Sequence, residues 1–231
     1  IPDSSYFLDL FDRIHAEGLK ISMMHECLHL PSEEFLKRFA RTFGPRKRLD
    51  FVLLTASDAL RLRNKDNYFS RADLVRTLEA TGYYGISSDV CFLTGLPFEE
   101  EEHVEQTLRF IEELGQRFDH VSLNAEVLAI EPLAPMNVDP EAWGVRSHAR
   151  TFMDYYAGHA APSFYGFTPA AFSAERAHQL AEAHMEALRV GRAARPKGVA
   201  ITCRTPGASE ATVARSEPCK GAIRDDVGER R

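Results

Sequence analysis

Residues 88–114 read "SDVCFLTGLPFEEEEHVEQTLRFIEEL". An apolar run of strand length (88–94) meets a Gly-Leu-Pro turn. A segment beginning near residue 100 then carries Val104, Leu108, Ile111 and Leu114 at helical spacing. Strand, short loop and amphipathic helix in that order make one βα unit. The same grammar recurs along the chain. Other apolar runs are "LKISMM" (19–24), "LDFVLLT" (49–55) and "HVSLNAEVLAI" (120–130). Helices are predicted over about 5–17 (Phe7, Leu10, Phe11, Ile14) and about 32–43 (Phe35, Leu36, Phe39, Phe43). A third runs from the capping-box pattern "SRAD" (70–73) through Leu74, Val75 and Leu78 to Gly82. Apolar strands alternating with helices predict an α/β fold with a parallel sheet buried on both faces. Open doubly wound sheets and (β/α) barrels share this pattern, and both place their chemistry at the carboxyl ends of the strands. Those ends carry His25-Glu26, Thr55-Ala56-Ser57-Asp58, Thr94-Gly95-Leu96-Pro97 and Glu131-Pro132.

"HECLH" at 25–29 matches H-E-x-x-H, the zinc-protease signature. That chemistry needs a helix, because only there do the two histidines, four residues apart, share a face. Gly18 closes the preceding helix, while Pro31 and the N-cap pattern Ser32-Glu33-Glu34 open the next. The interval 19–30 suits a strand and a loop. Ile21, Met24 and Leu28 keep a helix reading open on periodicity alone. No third ligand follows downstream and the chain-wide pattern favours a strand, so the zinc protease ranks last. His25 and Glu26 are instead expected at an active-site rim, with His29 in the loop beyond.

At 231 residues, with 44% hydrophobic and 27% charged residues, the chain is long enough for one sizeable domain or part of a larger one. A net charge of −6 argues against a nucleic-acid partner, and "GPRKR" (44–48) reads as a solvated connector. No apolar run has the length of a membrane span and no signal peptide opens the chain, so a cytoplasmic protein is expected. The first residue, Ile1, is not Met, which reads as something left off in front. Cys27, Cys91, Cys203 and Cys219 contain no C-x-x-C pair and suit a reducing compartment. Cys91 is read as a small core residue on a strand. Aromatics crowd 146–190, where a helix near 173–190 is expected and packing against the outside of the barrel is the default. From 191 to 231 periodicity and apolar content fall, which predicts a disordered tail whose cysteines are free thiols.

The order of these stretches resembles the radical S-adenosylmethionine enzymes, and within them the cobalamin-binding type, whose fifth strand carries G-L-P-G-E. "CFLTGLPFE" stands for that strand's G-x-I-x-G-x-x-E. "LDFVLLTASDALRLRNKDNYFS" resembles the fourth unit, with its strand ending in Ser and an Asn-Lys-x-x-Tyr-Ser turn. "VLAIEPLAPMNVDP" resembles the sixth strand and its P-G-S-P loop. The likeness covers about 6–165. It implies a partial (β/α) barrel over 1–145, with parallel strands alternating with helices, then a C-terminal helical and irregular extension.

The resemblance implies S-adenosylmethionine contacts at Glu26, Ser57, Gly95, Pro97, Ile130 and Pro132. Gly95 lacks a Cβ, which lets its backbone lie close to a ribose or adenine. Arg61, Arg63 and Lys65 are expected as surface charges of a loop. The chain departs from the family where Phe98 and Cys91 replace glycines of the fifth-strand motif, and where Leu133-Ala134 replace Gly-Ser. It also lacks C-x-x-x-C-x-x-C, whose thiolates hold the four-iron four-sulfur cluster; Cys27 does not stand in for it. The expected function is therefore the carboxyl-terminal portion of a radical enzyme. The intact protein would cleave S-adenosylmethionine reductively, with cobalamin-dependent methyl transfer or rearrangement of a small-molecule substrate, and without nucleic acid or membrane. The remaining amino-terminal barrel portion, or a partner subunit, would supply the cluster. The alternative is a degenerate or accessory barrel acting as a non-catalytic binding module; a complete (β/α) domain with no cofactor comes third.

Overall fold

The computed structural model describes residues 5–65, 69–128, 130, 133–159 and 166–173, and scattered positions between 175 and 187. Four parallel strands form one sheet in chain order: β1 (Met23–Cys27), β2 (Lys47–Leu54), β3 (Ser87–Thr94) and β4 (Val121–Val127). Between or before them come α1 (Ser5–Ala16), α2 (Glu33–Thr42), α3 (Asp58–Asn64), α4 (Arg71–Tyr83) and α5 (Glu101–Arg117). The expected parallel α/β order is present. Ser32 caps α2 through the Phe35 N–H, and Ser70 with Asp73 closes a reciprocal capping box on α4.

Burial on both sheet faces is not what the structure has. Leu49, Phe51 and Leu53 of β2, and Val90 and Phe92 of β3, turn toward the helices and are fully buried. Residues between them turn the other way: Arg48 and Asp50 on β2, Asp89 and Cys91 on β3, Glu26 on β1, and Asn124 and Glu126 on β4. The period of two along a strand makes this sorting automatic. The sheet thus has one helix-covered face and one largely polar face, on which Val52 and Leu93 form an apolar patch toward the carboxyl end. Cys91 lies on the polar face and is only half-buried, outside the core where it was expected, whereas Cys27 is a core residue.

The helix-side core centres on aromatic rings. Phe11 of α1 is fully buried, with edge-on contacts to Phe35, Phe39 and Phe43 at centroid distances of 5.2, 5.7 and 5.2 Å. β1 begins at Met23, later than the run at 19–24 implied, so "HEC" lies inside a strand. His25 packs its ring against Phe7 and Phe35, and Glu26 points to the opposite face. That geometry excludes the zinc-protease arrangement. Among the described residues no group of three or more His, Cys, Asp or Glu is placed to hold a metal, and no helix is long and apolar enough to cross a membrane.

Further corrections are local. α4 continues through Gly82 to Tyr83, and Gly85, at φ 63°, makes the exit. α3 was not expected at all. Lys47 and Arg48 of the supposed connector belong to β2; Arg48 pairs with Asp50 (2.9 Å) and Asp89 (3.2 Å) on the polar face. After β4 come α6 (Pro135–Val138), β5 (Val145–Ser147), α7 (Phe152–His159) and β6 (Phe167–Pro169), with β5 and β6 antiparallel. Phe172 and Leu180 bury against Val104 and Leu108 of α5. Phe152, Met153 and Tyr156 of α7 stay exposed. The 191–231 tail, Cys203, Cys219 and Pro132 lie outside the described residues.

Candidate functional site

The carboxyl ends of β2, β3 and β4 converge on one edge, and several local devices hold their backbones there. At the end of β2 the Thr55 N–H bonds the Leu53 carbonyl (3.0 Å) across Leu54, whose φ is 72°. This is a γ-turn-like kink that an L-residue adopts only under strain. It coincides with a shift in the β2–β3 register. Ser57 then caps α3, its hydroxyl accepting the Leu60 N–H at 3.3 Å. Ser57 follows the end of β2, and its side chain is buried there.

Arg61 is not a surface charge. It is 1% exposed; one guanidinium nitrogen donates to the Thr55 carbonyl at 2.6 Å and another pairs with Asp58. It therefore braces the β2 exit from below. The charged head ended up buried because α3, missed in the sequence, wraps it onto its own strand end. Arg63 is exposed, with its guanidinium over the Phe98 ring at 3.3 Å, and Lys65 ends α3.

At the end of β3, Gly95 has φ 88°. A Cβ built on it would meet only the Phe167 ring edge, at 4.0 Å. The turn Gly95–Glu99 closes on itself: the Glu99 carboxylate, 1% exposed, accepts the Gly95 N–H at 2.7 Å, and the Glu99 N–H bonds the Leu96 carbonyl at 3.0 Å. Burial pushes the Glu99 carboxyl up to about 7, against the opposing pull of the Gly95 and Leu96 amides. Pro97 is buried and its carbonyl accepts from Asn64 Nδ2 at 3.0 Å, tying the β3 loop to α3. Phe98 has φ 61° and packs its ring on Gly144, where a Cβ would come within 2.7 Å of it.

Beyond β4, Ile130 is buried with Val145 and Phe167, beside Leu128, Met136 and Trp143. Leu54, Leu60 and Leu96 form a second apolar cluster with Val52, Leu93 and Leu128. Gly95 therefore lies between two apolar walls. Glu26 is not part of this edge. It stands on the outer strand β1, in register with Asp50 and through it with Asp89. Burial raises the Asp50 carboxyl; Arg48 opposes this and Asp89 adds to it. The same face drives the Cys91 thiol up to about 11, by burial first and then by Glu126, Asp89, Glu26 and Asp50. The structure thus brings Ser57, Gly95, Pro97 and Ile130 to one edge and leaves Glu26 apart. A groove of about 740 Å³ between α2 and α4 is lined by none of these residues.

A parallel sheet with helices on one face and loops at its carboxyl edge is a segment of (β/α) architecture, a class of fold in which ligands generally sit at that edge. Two solved structures of the radical S-adenosylmethionine methyltransferase TsrM from Kitasatospora setae share this fold. One, with cobalamin and a 4Fe-4S cluster bound, superposes with a TM-score of 0.51 at 18% identity, covering 63% of this chain and 31% of that one. The other, with tryptophan substrate and the S-adenosylmethionine analogue aza-SAM bound, gives 0.56 at 14% identity, covering 79% and 40%. The chain spans less than half the length of these structures. No protein-family model and no curated protein matches the sequence.

Of the groups bound in those structures, a nucleoside-bearing cofactor and an iron–sulfur cluster fit this chain differently. The features at Gly95 that fit a nucleoside are a glycine at φ 88° with room where a Cβ would stand and apolar side chains on either side, although the strand-end loops at Thr55–Ser57 and Gly95–Pro97 are themselves buried. An iron–sulfur cluster has no ligand set among the described residues, and Cys27 faces the helices.

Proposed function

We propose that the carboxyl edge of the sheet binds the adenosyl part of S-adenosylmethionine, and that the chain is a portion of a radical S-adenosylmethionine enzyme acting on a small-molecule substrate, in the manner of the cobalamin-dependent methyltransferases. One observation carries this reading. Wherever the family motifs G-L-P-G-E and P-G-S-P place a glycine, the backbone here is left-handed: Gly95 at 88°, Phe98 at 61° and Leu133 at 70°. Two of those glycines have been replaced by residues that pay a steric penalty for the same conformation. A backbone kept against its side chains is best explained by what the loops must present.

The roles assigned to this chain are binding and orientation. Gly95 lets the nucleoside approach the backbone. The backbone at Ile130 is assigned to the adenine edge, and Pro132, outside the described residues, is assigned there by motif order alone. Ser57, its oxygen engaged by Leu60, keeps its hydroxyl proton for a ribose or methionine oxygen. Glu26 is assigned to the substrate-facing sheet rather than to the nucleoside. S-adenosylmethionine, when bound, supplies the methyl or 5′-deoxyadenosyl group, and the cluster that acts on it is assigned to another part of the intact protein.

The test is the reading frame upstream of the Ile1 codon. A C-x-x-x-C-x-x-C motif within about 100 residues, the span of two further βα units and their loops, supports the enzyme reading. A start codon and ribosome-binding site directly ahead of Ile1 would sink it and leave the non-catalytic binding module.

A further inference from the structure

The two strand-end loops of the proposed nucleoside site are both held from behind by one helix. α5 begins at Glu101, two residues past Glu99, whose carboxylate takes the Gly95 N–H. Two turns further on, Thr107 is 1% exposed and reaches the other loop. Its hydroxyl donates to the His103 carbonyl at 2.9 Å, accepts the Ala56 N–H at 3.1 Å, and lies 3.0 Å from the Thr55 hydroxyl. With the Thr107 proton on His103, Thr55 is the donor of that last bond. A hydroxyl has one proton and two lone pairs, so Thr107 is saturated. Thr55 passes the connection on: its oxygen accepts the Ser57 N–H at 3.2 Å. The relay from α5 to Ser57 is buried throughout, where an unmade hydrogen bond is costly. A core packing role alone would be filled as well by Val, which has the same shape and no hydroxyl.

We propose that Thr107 and Glu99 are positioning residues: through them α5 sets the Thr55–Ser57 loop and the Gly95–Pro97 loop in one fixed arrangement, across which the nucleoside of the bound cofactor lies. The ligand assignment rests on the proposed function; the positioning itself does not, and the experiment separates the two.

Backbone amide exchange is measured by NMR on the full 231-residue chain without ligand, for wild type, Thr107→Val, Thr107→Ser and Glu99→Gln. Thr107→Val is expected to accelerate exchange at Ala56 and Ser57 at least tenfold over amides elsewhere in the sheet, as loss of a buried hydrogen bond implies. Thr107→Ser is expected to restore wild-type exchange. Glu99→Gln is expected to act on Gly95 and Leu96. S-adenosylmethionine titrations on the same proteins are expected to show about tenfold weaker binding for Thr107→Val and recovery in Thr107→Ser. Unchanged Ala56 and Ser57 exchange in Thr107→Val overturns the positioning role. Should that variant fail to fold, Thr55→Val breaks the relay from the other side, and unchanged exchange at Ser57 is then the overturning result. Wild-type protein that binds no S-adenosylmethionine, with the exchange changes present, removes the ligand assignment and leaves the positioning intact.

Discussion

Glu99 makes the stability of this protein depend on pH in a direction opposite to that of an ordinary salt-bridged carboxylate. Its folded-state value of about 7 lies above the 4.5 of an exposed glutamate, because burial disfavours the charge more than the Gly95 and Leu96 amides favour it. The folded chain therefore holds a proton that the unfolded chain has released. The resulting stability is fully present below about 4.5 and is lost as pH rises through about 7. At ~1.4 kcal/mol for each pH unit of separation, the loss amounts to about 3 kcal/mol. Glu99→Gln mimics the protonated form. The variant gives up part of the hydrogen bonding to the turn, worth ~1 kcal/mol, but carries no charge to bury. It should be slightly less stable than wild type at pH 5 and more stable by about 2 kcal/mol at pH 8, the difference between those two effects. Urea unfolding at pH 5, 6, 7 and 8 reads both proteins on one scale. A difference between them that is constant across that range would refute the reasoning and place Glu99 in contact with solvent.

Three further outcomes follow from other parts of the structure. Cys91, held near 11 among four carboxylates, should resist iodoacetamide at pH 8 and react only as pH approaches 11, read by peptide mass spectrometry. Phe11→Ala empties the centre of the aromatic cluster and should cost about 3–5 kcal/mol in urea unfolding. Leu133 is 87% exposed at φ 70°, so Leu133→Gly should leave stability within about 1 kcal/mol of wild type, while β-branched Leu133→Val should destabilise by about 1 kcal/mol.

The strand and helix order was legible because each element carries its own period. The runs at 49–55 and 88–94 fall on β2 and β3, and the Ser70–Asp73 pattern is a real capping box. The one-sided sheet was harder to see. Asp50 and Asp89 interrupt those runs only once each, and a single acid in an apolar strand does not announce which way it points. α3 was missed because its seven residues are too few to establish a period, so Arg61 was read as solvated when it is among the most buried side chains. Ser57, Gly95, Pro97 and Ile130 were read from motif order, and what the structure adds is their position past the carboxyl ends of the strands. Glu99 stood in the same motif, but its burial depends on the turn closing back to Gly95. Thr107 gave no sequence signal: a threonine on a helix's apolar face looks like packing until Thr55 and Ala56 are seen against it.

The claim that matters most is that the carboxyl edge receives a nucleoside, and amide chemical shifts of the chain titrated with S-adenosylmethionine test it most directly. The account predicts saturable shifts concentrated at Ala56, Ser57, Gly95, Leu96 and Ile130. No saturable shifts, or shifts confined to the groove between α2 and α4, would contradict it.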